Sequence, residues 1–298
     1  MNRGMIATEQ ASPRFTDLDA WPVATQIQAL YESQLDALAA IRPALPVIAR
    51  AAEAAIIRLQ DARGRLAYAG AGSSARLGAQ DGAELEPTFD WPTNRLVLLI
   101  AGGLGALTKA VENAEDDADA ARAAVQQAGI GAHDVVIALA ASGATPFTIA
   151  CLQAARAAGA LAIGIANSAN APLLAEADHA ILIETGAEPI AGSTRLKAGT
   201  AQKVVLNLLS TAIMTGLGRV HAGRMVDMLA RNEKLRRRAL AMVCELAPCP
   251  PEVARVALDA CSMRVKPAIL VARGLTPDAA EVLLAANHGS LRAALGSL

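Results

Sequence analysis

The stretch Gly64–Phe89, GRLAYAGAGSSARLGAQDGAELEPTF, holds the key to the fold. Its apolar run Leu66–Ala69 reads as a buried strand. Gly70 and Gly72 follow, then Ser73 and Ser74, where a helical pattern opens. Strand, glycine-and-hydroxyl loop and helix together make an anion site. Glycine lets backbone approach closely, the first N–H groups of a helix lack intrahelical partners, and hydroxyls add donors. Glu84 and Glu86 come soon after, so the stretch reads as a phosphate-binding loop followed by one catalytic carboxylate. A plainer reading of the same residues is a tight strand-to-helix turn capped by Ser73.

Working outward, four more apolar runs read as strands: Leu96–Ala101, Asp134–Ala140, Leu161–Ala166 and His179–Ile183. They are apolar throughout rather than alternating, and helical patterns separate most of them. That pattern predicts an α/β fold, a doubly wound five-stranded parallel sheet covered on both faces. Ligands then sit beyond the carboxyl ends of the strands, where small or hydroxyl-rich loops follow Ala69, Ala101 and Ala140. Helices are predicted over Val23–Ile41, with Ile27, Leu30, Leu35 and Leu38 near one face, and over Val47–Leu59, Ala106–Val111, Asp117–Gln127, Pro146–Ala158, Ala198–Leu217 and Met225–Arg238. Thr145 is the expected N-cap ahead of Pro146. Residues 1–19 read as a loose arm and 20–247 as the main domain with its N-terminal helices. Pro248, Pro250 and Pro251 read as a linker to a small all-helical domain over 248–298.

Composition narrows the function. With 298 residues, 53% of them hydrophobic, the chain can build a full core. Aromatics at 2% argue against stacking on nucleic-acid bases, and a net charge of -1 without a basic block removes the electrostatic case for nucleic acid or an anionic membrane. Cys151, Cys244, Cys249 and Cys261 form no CxxC pair and the histidines are scattered, so no metal site is expected. Few, scattered cysteines fit a reducing cytoplasm. The N-terminal stretch has no apolar core of a signal peptide, and the apolar runs are too short to span a bilayer.

Glu84 and Glu115 are the candidate catalytic carboxylates, each in or near a glycine-rich connection after a strand. Two carboxylates divide acid and base roles when their surroundings push their pKa values apart. Glu86 competes with the first; Glu112, Asp116 and Asp117 compete with the second. Ser142 and Thr145 are either phosphate donors or ordinary caps. Ser193, Thr194 and Lys197 either cap a helix or hold an anion. Arg76 pairs with a ligand or with a carboxylate, and His221 reads as a helix-end residue. Glu84 lies ten positions after Ser74, which on one straight helix is roughly 15 Å, longer than a hexose phosphate. Both residues reach one sugar only if the helix breaks at Gly78 or Gly82, or if the site is shared between subunits of a dimer; the shared site is the favoured reading.

The chain resembles the bacterial N-acetylmuramic acid 6-phosphate etherases of the sugar isomerase (SIS) domain superfamily. The resemblance rests on Thr16–Asp19, Gly70–Leu77, Asp81–Glu84 with Pro87–Phe89, Ile100–Gly103, Ala110–Asp116, Ala140–Pro146, Gly192–Lys203, Met225–Asp227 and Asn232–Leu235, in family order over nearly the whole chain. The run Gly-Ser-Thr-Arg-Leu-Lys-Ala-Gly-Thr from Gly192 is the most specific of these. The resemblance implies a SIS-type sheet and a lyase that removes D-lactate from C3 of N-acetylmuramic acid 6-phosphate, leaving N-acetylglucosamine 6-phosphate. It implies elimination and then hydration of the ring-opened sugar, with Glu84 as acid, Glu115 as base and no cofactor, in cytoplasmic recycling of cell-wall sugars. It implies substrate contacts from Gly72, Ser73, Ser74, Arg76, Ser142, Gly143, Thr145, Ser193, Thr194 and Lys197, and a homodimer with the site near the subunit interface. Departures from the family pattern are Ser73 for Thr, Ala75 for Gly, Ala144 for Arg, Leu85-Glu86 for Cys-Pro and Ala191 for Thr. The competing functions are a non-catalytic phosphosugar-binding regulator and a phosphosugar aldose–ketose isomerase.

Overall fold

The computed structural model describes residues 7–109, 111–228, 230 and 232–298. The chain divides into two compact units. One holds the residues up to Gly82 with Asn94–Ser210; the other holds Ala83–Thr93 with Thr211–Leu298. The break expected at Pro248 falls inside the second unit.

In chain order the elements around the sheet are α1 (Val23–Ala39), α2 (Leu45–Leu59), β1 (Leu66–Gly70), α3 (Gly72–Phe89), β2 (Leu96–Ile100), α4 (Ala118–Gln127), β3 (Val135–Ala140), α5 (Pro146–Ala157), β4 (Leu161–Ala166), α6 (Pro172–Ala175), β5 (His179–Leu182) and α7 (Lys197–Gly216). The sheet runs β2-β1-β3-β4-β5 with every pairing parallel, as the apolar runs predict. Every residue of β1, β3 and β4 is buried, which is why these strands carry apolar side chains on both faces. Both α2 and α5 pack on β3 and β4. One core joins Val136 and Ala138 of β3 to Phe147 and Leu152 of α5 and Val125 of α4.

Strand order places the site. Chain order leads from β1 to β2 on one side, while β3 lies on the other side of β1. The connections leaving β1 and β3 therefore part at the carboxyl edge and leave a crevice between them. Helix α3 is held there by a buried polar knot. Asp81, 6% exposed, accepts from the Tyr68 hydroxyl at 2.7 Å, from Asn207 Nδ2 at 2.8 Å and from Ser210 Oγ at 3.1 Å. Burial, and then the Asp81 carboxylate beside it, pushes the Tyr68 hydroxyl well above its ordinary pKa, so it stays a donor.

Some local expectations are corrected. The arm is not loose over its described part: it forms 3-10 turns at Ala7–Glu9, Pro13–Phe15 and Leu18–Ala20, Phe15 is buried, and Arg14 ion-pairs with Glu32 of α1. On α1 the buried positions are the small Ala29, Ser33 and Ala37, whereas Val23, Ile27, Tyr31, Leu35 and Leu38 are exposed. The helix expected over Ala106–Val111 is a 3-10 turn at Leu104–Leu107; Ala110, where one of the resemblance blocks begins, lies outside the described residues. Thr145 occupies the N-cap position of α5 but makes no side-chain capping bond.

The second unit holds a hairpin of β6 (Val220–His221) and β7 (Arg224–Met225), then α8 (Glu233–Leu246), α9 (Pro251–Ala260), α10 (Val265–Ala272), α11 (Pro277–Ala286) and α12 (Leu291–Gly296). The helix expected from Met225 starts instead after Asn232, whose Oδ1 accepts from Leu235 N at 2.9 Å. His221 lies in a strand, not at a helix end. The proline run opens a helix: Pro250 is the N-cap of α9 and Pro251 its first residue. Met242, Leu258, Ile269 and Leu284 form the core of this small all-helical region.

Candidate active site

The crevice beside β1 and β3 is a cavity of about 380 Å³, built wholly from the first unit. Two helix N-termini reach it. Gly72, Ser73 and Ser74 open α3; Thr145 and Pro146 open α5. Both helices bring backbone N–H groups without intrahelical partners, and both present the positive end of a dipole. Gly72 has φ 54°, so the chain turns from strand into helix through a left-handed residue.

The hydroxyls differ in what they can offer. Ser74 is buried and its Oγ donates to Gln202 Oε1 at 2.8 Å, while Gln202 Nε2 donates to Asn167 Oδ1 at 2.9 Å. That chain pins the start of α3 and commits the Ser74 proton, which leaves Ser74 its backbone N–H as the donor it can offer the cavity. Ser142 Oγ accepts from Ala144 N at 3.2 Å and keeps its proton to donate. Among the described residues, the hydroxyls of Ser73, Thr145 and Thr194 have no partner.

Carboxylates form the other part of the wall: Glu115 and Asp116 on the 3-10 turn Ala114–Asp116, and Glu9 from the N-terminal arm. Asn113, at φ 58°, turns the chain into that segment. The competitors for Glu115 thin out. Asp117 is the N-cap of α4, its Oδ1 accepting from Ala120 N at 2.8 Å, and Glu112 does not line the cavity. Asp116 remains beside Glu115.

Of the residues expected at the site, Gly72, Ser73, Ser74, Glu115, Ser142, Thr145 and Thr194 are brought together. Arg76, Gly143, Ser193 and Lys197 do not line the cavity. Arg76 Nε instead donates to the Leu107 carbonyl at 3.0 Å, neither to a ligand nor to a carboxylate. Gly143, at φ 64°, turns the loop tightly against Ala171: a Cβ there would meet the Ala171 Cβ at 2.2 Å. Lys197 Nζ donates to the Ala187 carbonyl at 3.2 Å. The N-terminus of α7, beside Ser193 and Lys197, is already filled by Glu188, which is fully buried and accepts from Lys197 N at 2.8 Å and Ala198 N at 2.9 Å. Burial raises the Glu188 carboxyl above its ordinary pKa, and those two N–H bonds offset it only in part. Glu84 is exposed, does not line the cavity and belongs to the other unit. Since α3 runs unbroken from Gly72 to Phe89, neither Gly78 nor Gly82 breaks it. Glu9 was missed by sequence reasoning; its only signal is that it is the sole acidic residue ahead of Asp17.

A larger cavity, about 580 Å³, lies in the second unit. Its charged wall is internally paired: Lys266 Nζ donates to Asp227 Oδ2 at 2.6 Å, and Arg264 ion-pairs with Glu281. The crevice instead brings together two helix starts and the hydroxyls of Ser73, Thr145 and Thr194, partnerless among the described residues, so the chemistry points to the smaller site.

Comparison with known proteins fits this geometry. Residues 47–156 match the N-terminal SIS domain of glucokinase regulatory protein, and residues 110–212 match the SIS domain. An N-acetylmuramic acid 6-phosphate etherase of Deinococcus radiodurans is 46% identical over 97% of this chain and 95% of its own length. The chain belongs to the N-acetylmuramic acid 6-phosphate etherase family. Etherases of Cronobacter sakazakii and Salmonella dublin are 45% and 44% identical, each over 99% of both chains. In fold, this etherase-family chain is similar to a solved Bacteroides fragilis protein described as a phosphosugar isomerase involved in capsule formation, with TM-score 0.50, 20% identity and coverage of 68% of this chain and 99% of that one.

Proposed function

We propose that the chain is the lyase its family name describes: it releases D-lactate from C3 of N-acetylmuramic acid 6-phosphate by elimination and hydration, leaving N-acetylglucosamine 6-phosphate. The observation that carries the reading is one cavity holding two open helix N-termini and Glu115. A phosphate dianion is complementary to the N–H groups and hydroxyls at the starts of α3 and α5. Its binding energy, remote from the reacting bonds, orients the open-chain sugar. Glu115 then takes the C2 proton, acidified by the C1 aldehyde, and the electron pair moves toward the carbonyl oxygen. The C3–O bond breaks as an acid protonates the departing lactate oxygen, because an alkoxide leaves poorly. Water adds to the resulting unsaturated aldehyde at C3. No step needs an electron carrier.

The acid is Glu84 of a second copy of the chain. An unbroken α3 separates Glu84 from Ser74 by roughly 15 Å along the helix. The residues lining the cavity do not include it. The exposed row Val23, Ile27, Tyr31 and Leu35, spaced by four along α1, supports association of two copies. Four free thiols fit a cytoplasmic location.

Incubating the purified protein with N-acetylmuramic acid 6-phosphate and assaying D-lactate tests the activity. A regulator, the reading suggested by the match to glucokinase regulatory protein, releases none; an isomerase yields a ketose and leaves the ether intact. Glu115→Gln should lower turnover by about 10²- to 10⁴-fold and abolish exchange of the C2 proton with solvent deuterium. Normal exchange in that variant removes Glu115 from the role of base. Glu84→Gln should slow lactate release while exchange stays measurable. Co-refolding the two impaired variants should restore activity through hybrid dimers that hold one intact site. Failure of the mixture to recover, with each variant folded, refutes the shared site.

A further inference from the structure

The N-terminal arm reaches the cavity at one point. Thr8 is fully buried and its carbonyl accepts from Gly192 N at 3.1 Å, which fixes the next residue, Glu9, against the Gly192–Thr194 turn. Glu9 lines the cavity together with Gly192 and Thr194. Its Oε2 lies so close to Gly192 that a Cβ at that position would stand 2.9 Å from it. Gly192 itself has φ 74°, and its carbonyl accepts from Thr194 N at 2.9 Å, so the turn is tight and the carboxylate rests on bare backbone. Among the described residues, no group hydrogen-bonds or ion-pairs with the Glu9 carboxylate.

An unpaired carboxylate in the wall of an anion site works against the anion by simple Coulomb repulsion. It becomes an asset only when the ligand brings donors of its own. The ring-opened amino sugar does so: its chain hydroxyls are O–H donors lying beyond the phosphate, and a carboxylate accepting from them makes a charge-assisted bond. Lactate, itself a carboxylate, is the part of the substrate that Glu9 would repel, so Glu9 belongs on the hydroxyl side.

We infer that Glu9 is a substrate-binding residue of this site, a carboxylate that accepts from a hydroxyl of the sugar chain and makes the arm part of the specificity apparatus. The inference rests on the etherase reading and deepens it. It has an opposite-sign test. Calorimetry on the full-length protein compares the wild type with Glu9→Gln and Glu9→Ala, using two probes: N-acetylglucosamine 6-phosphate, the product, and inorganic phosphate. Losing a hydrogen bond to a charged group should weaken the sugar phosphate about tenfold to a hundredfold. Inorganic phosphate, relieved of a nearby negative charge, should bind unchanged or more tightly. Glu9→Asp should recover part of the lost sugar affinity. If both probes weaken together, Glu9 merely holds the loop and the proposal is overturned. If the sugar phosphate binds the variants as it binds the wild type, the proposal is equally overturned. A wild type that binds the product but releases no D-lactate sinks the etherase reading alone, since the affinities are measured without turnover.

Discussion

Helices α3 and α7 both begin in glycine- and hydroxyl-bearing sequence, Gly72-Ser73-Ser74 and Gly192–Lys197, and their starts are finished in opposite ways. The start of α3 opens on a cavity, and no carboxylate of the described residues accepts from its first N–H groups. The start of α7 is closed by Glu188, a fully buried carboxylate that takes the N–H groups of Lys197 and Ala198. A helix N-terminus is an anion site in either case. What differs is whether the chain supplies the anion itself. The lesson is that a glycine–hydroxyl motif marks a place where negative charge is wanted, and the three-dimensional surroundings determine whether a ligand or a side chain brings it.

The sharpest way to break the comparison is to make α3 resemble α7. Ser73→Asp puts a carboxylate on the open N-terminus. Affinity for the phosphosugar should fall about a hundredfold, since a fixed anion now competes for the same N–H groups and repels the phosphate. Thermal stability should hold or rise slightly, by about 0.5 kcal/mol, because the dipole is now complemented. A KM for N-acetylmuramic acid 6-phosphate within about threefold of the wild type would show that phosphate does not bind at this helix. Loss of affinity together with stability would show only a damaged fold.

The reverse change is smaller in effect and appears in stability rather than affinity. Glu188→Ala removes both acceptors from the N-terminus of α7 and leaves the Lys197 and Ala198 N–H groups buried or half-buried without partners. The cost should be about 2 kcal/mol, read from urea unfolding. The affinity for inorganic phosphate should stay unchanged, because this helix end does not line the cavity. An unchanged unfolding midpoint would mean that Glu188 is not the cap.

The contrast also shows what sequence could convey. The sheet was legible because β1, β3 and β4 are short, wholly apolar blocks, and burial on both faces leaves that trace in composition. The loops after β1 and β3 were legible for the same local reason, and Ser73, Ser142 and Thr145 do line the cavity. Glu9 and Glu188 were not: Glu9 reaches the cavity only because Thr8 pairs with the distant Gly192, and the burial of Glu188 against the start of α7 exists only in the folded chain. The hairpin at Val220–Met225 left no such trace: His221 reads as a helix end and Met225 as the start of the next helix. The hairpin turn is Ala222-Gly223, with φ 47° and 72°, and alanine at a left-handed position gives none of the Asn-Gly or Asp-Gly signal that such turns usually carry. Nor could periodicity reveal that α1 turns its larger side chains outward; an amphipathic pattern shows that one face is apolar but not what covers it.

The smallest effect comes from pH, and its sign follows from burial. Glu188 holds its proton more tightly in the folded chain than the ordinary glutamate value of 4.5, because burial outweighs the two N–H bonds from Ala198 and Lys197. The folded state therefore binds more protons than the unfolded state between the two pKa values, and stability falls as pH rises through that interval. The contribution of Glu188 is fully present below 4.5 and is lost as pH rises through its raised folded value. Glutamine keeps an acceptor but cannot titrate. The stability of the wild type relative to Glu188→Gln should thus be most favourable in acid, shrink as pH climbs through the folded pKa, and then level off. Urea unfolding of the two proteins across that range reads the gap directly. A gap that widens with rising pH would mean that the N–H bonds outweigh burial at Glu188, and that α7 holds its internal anion as comfortably as α3 is proposed to hold a phosphate.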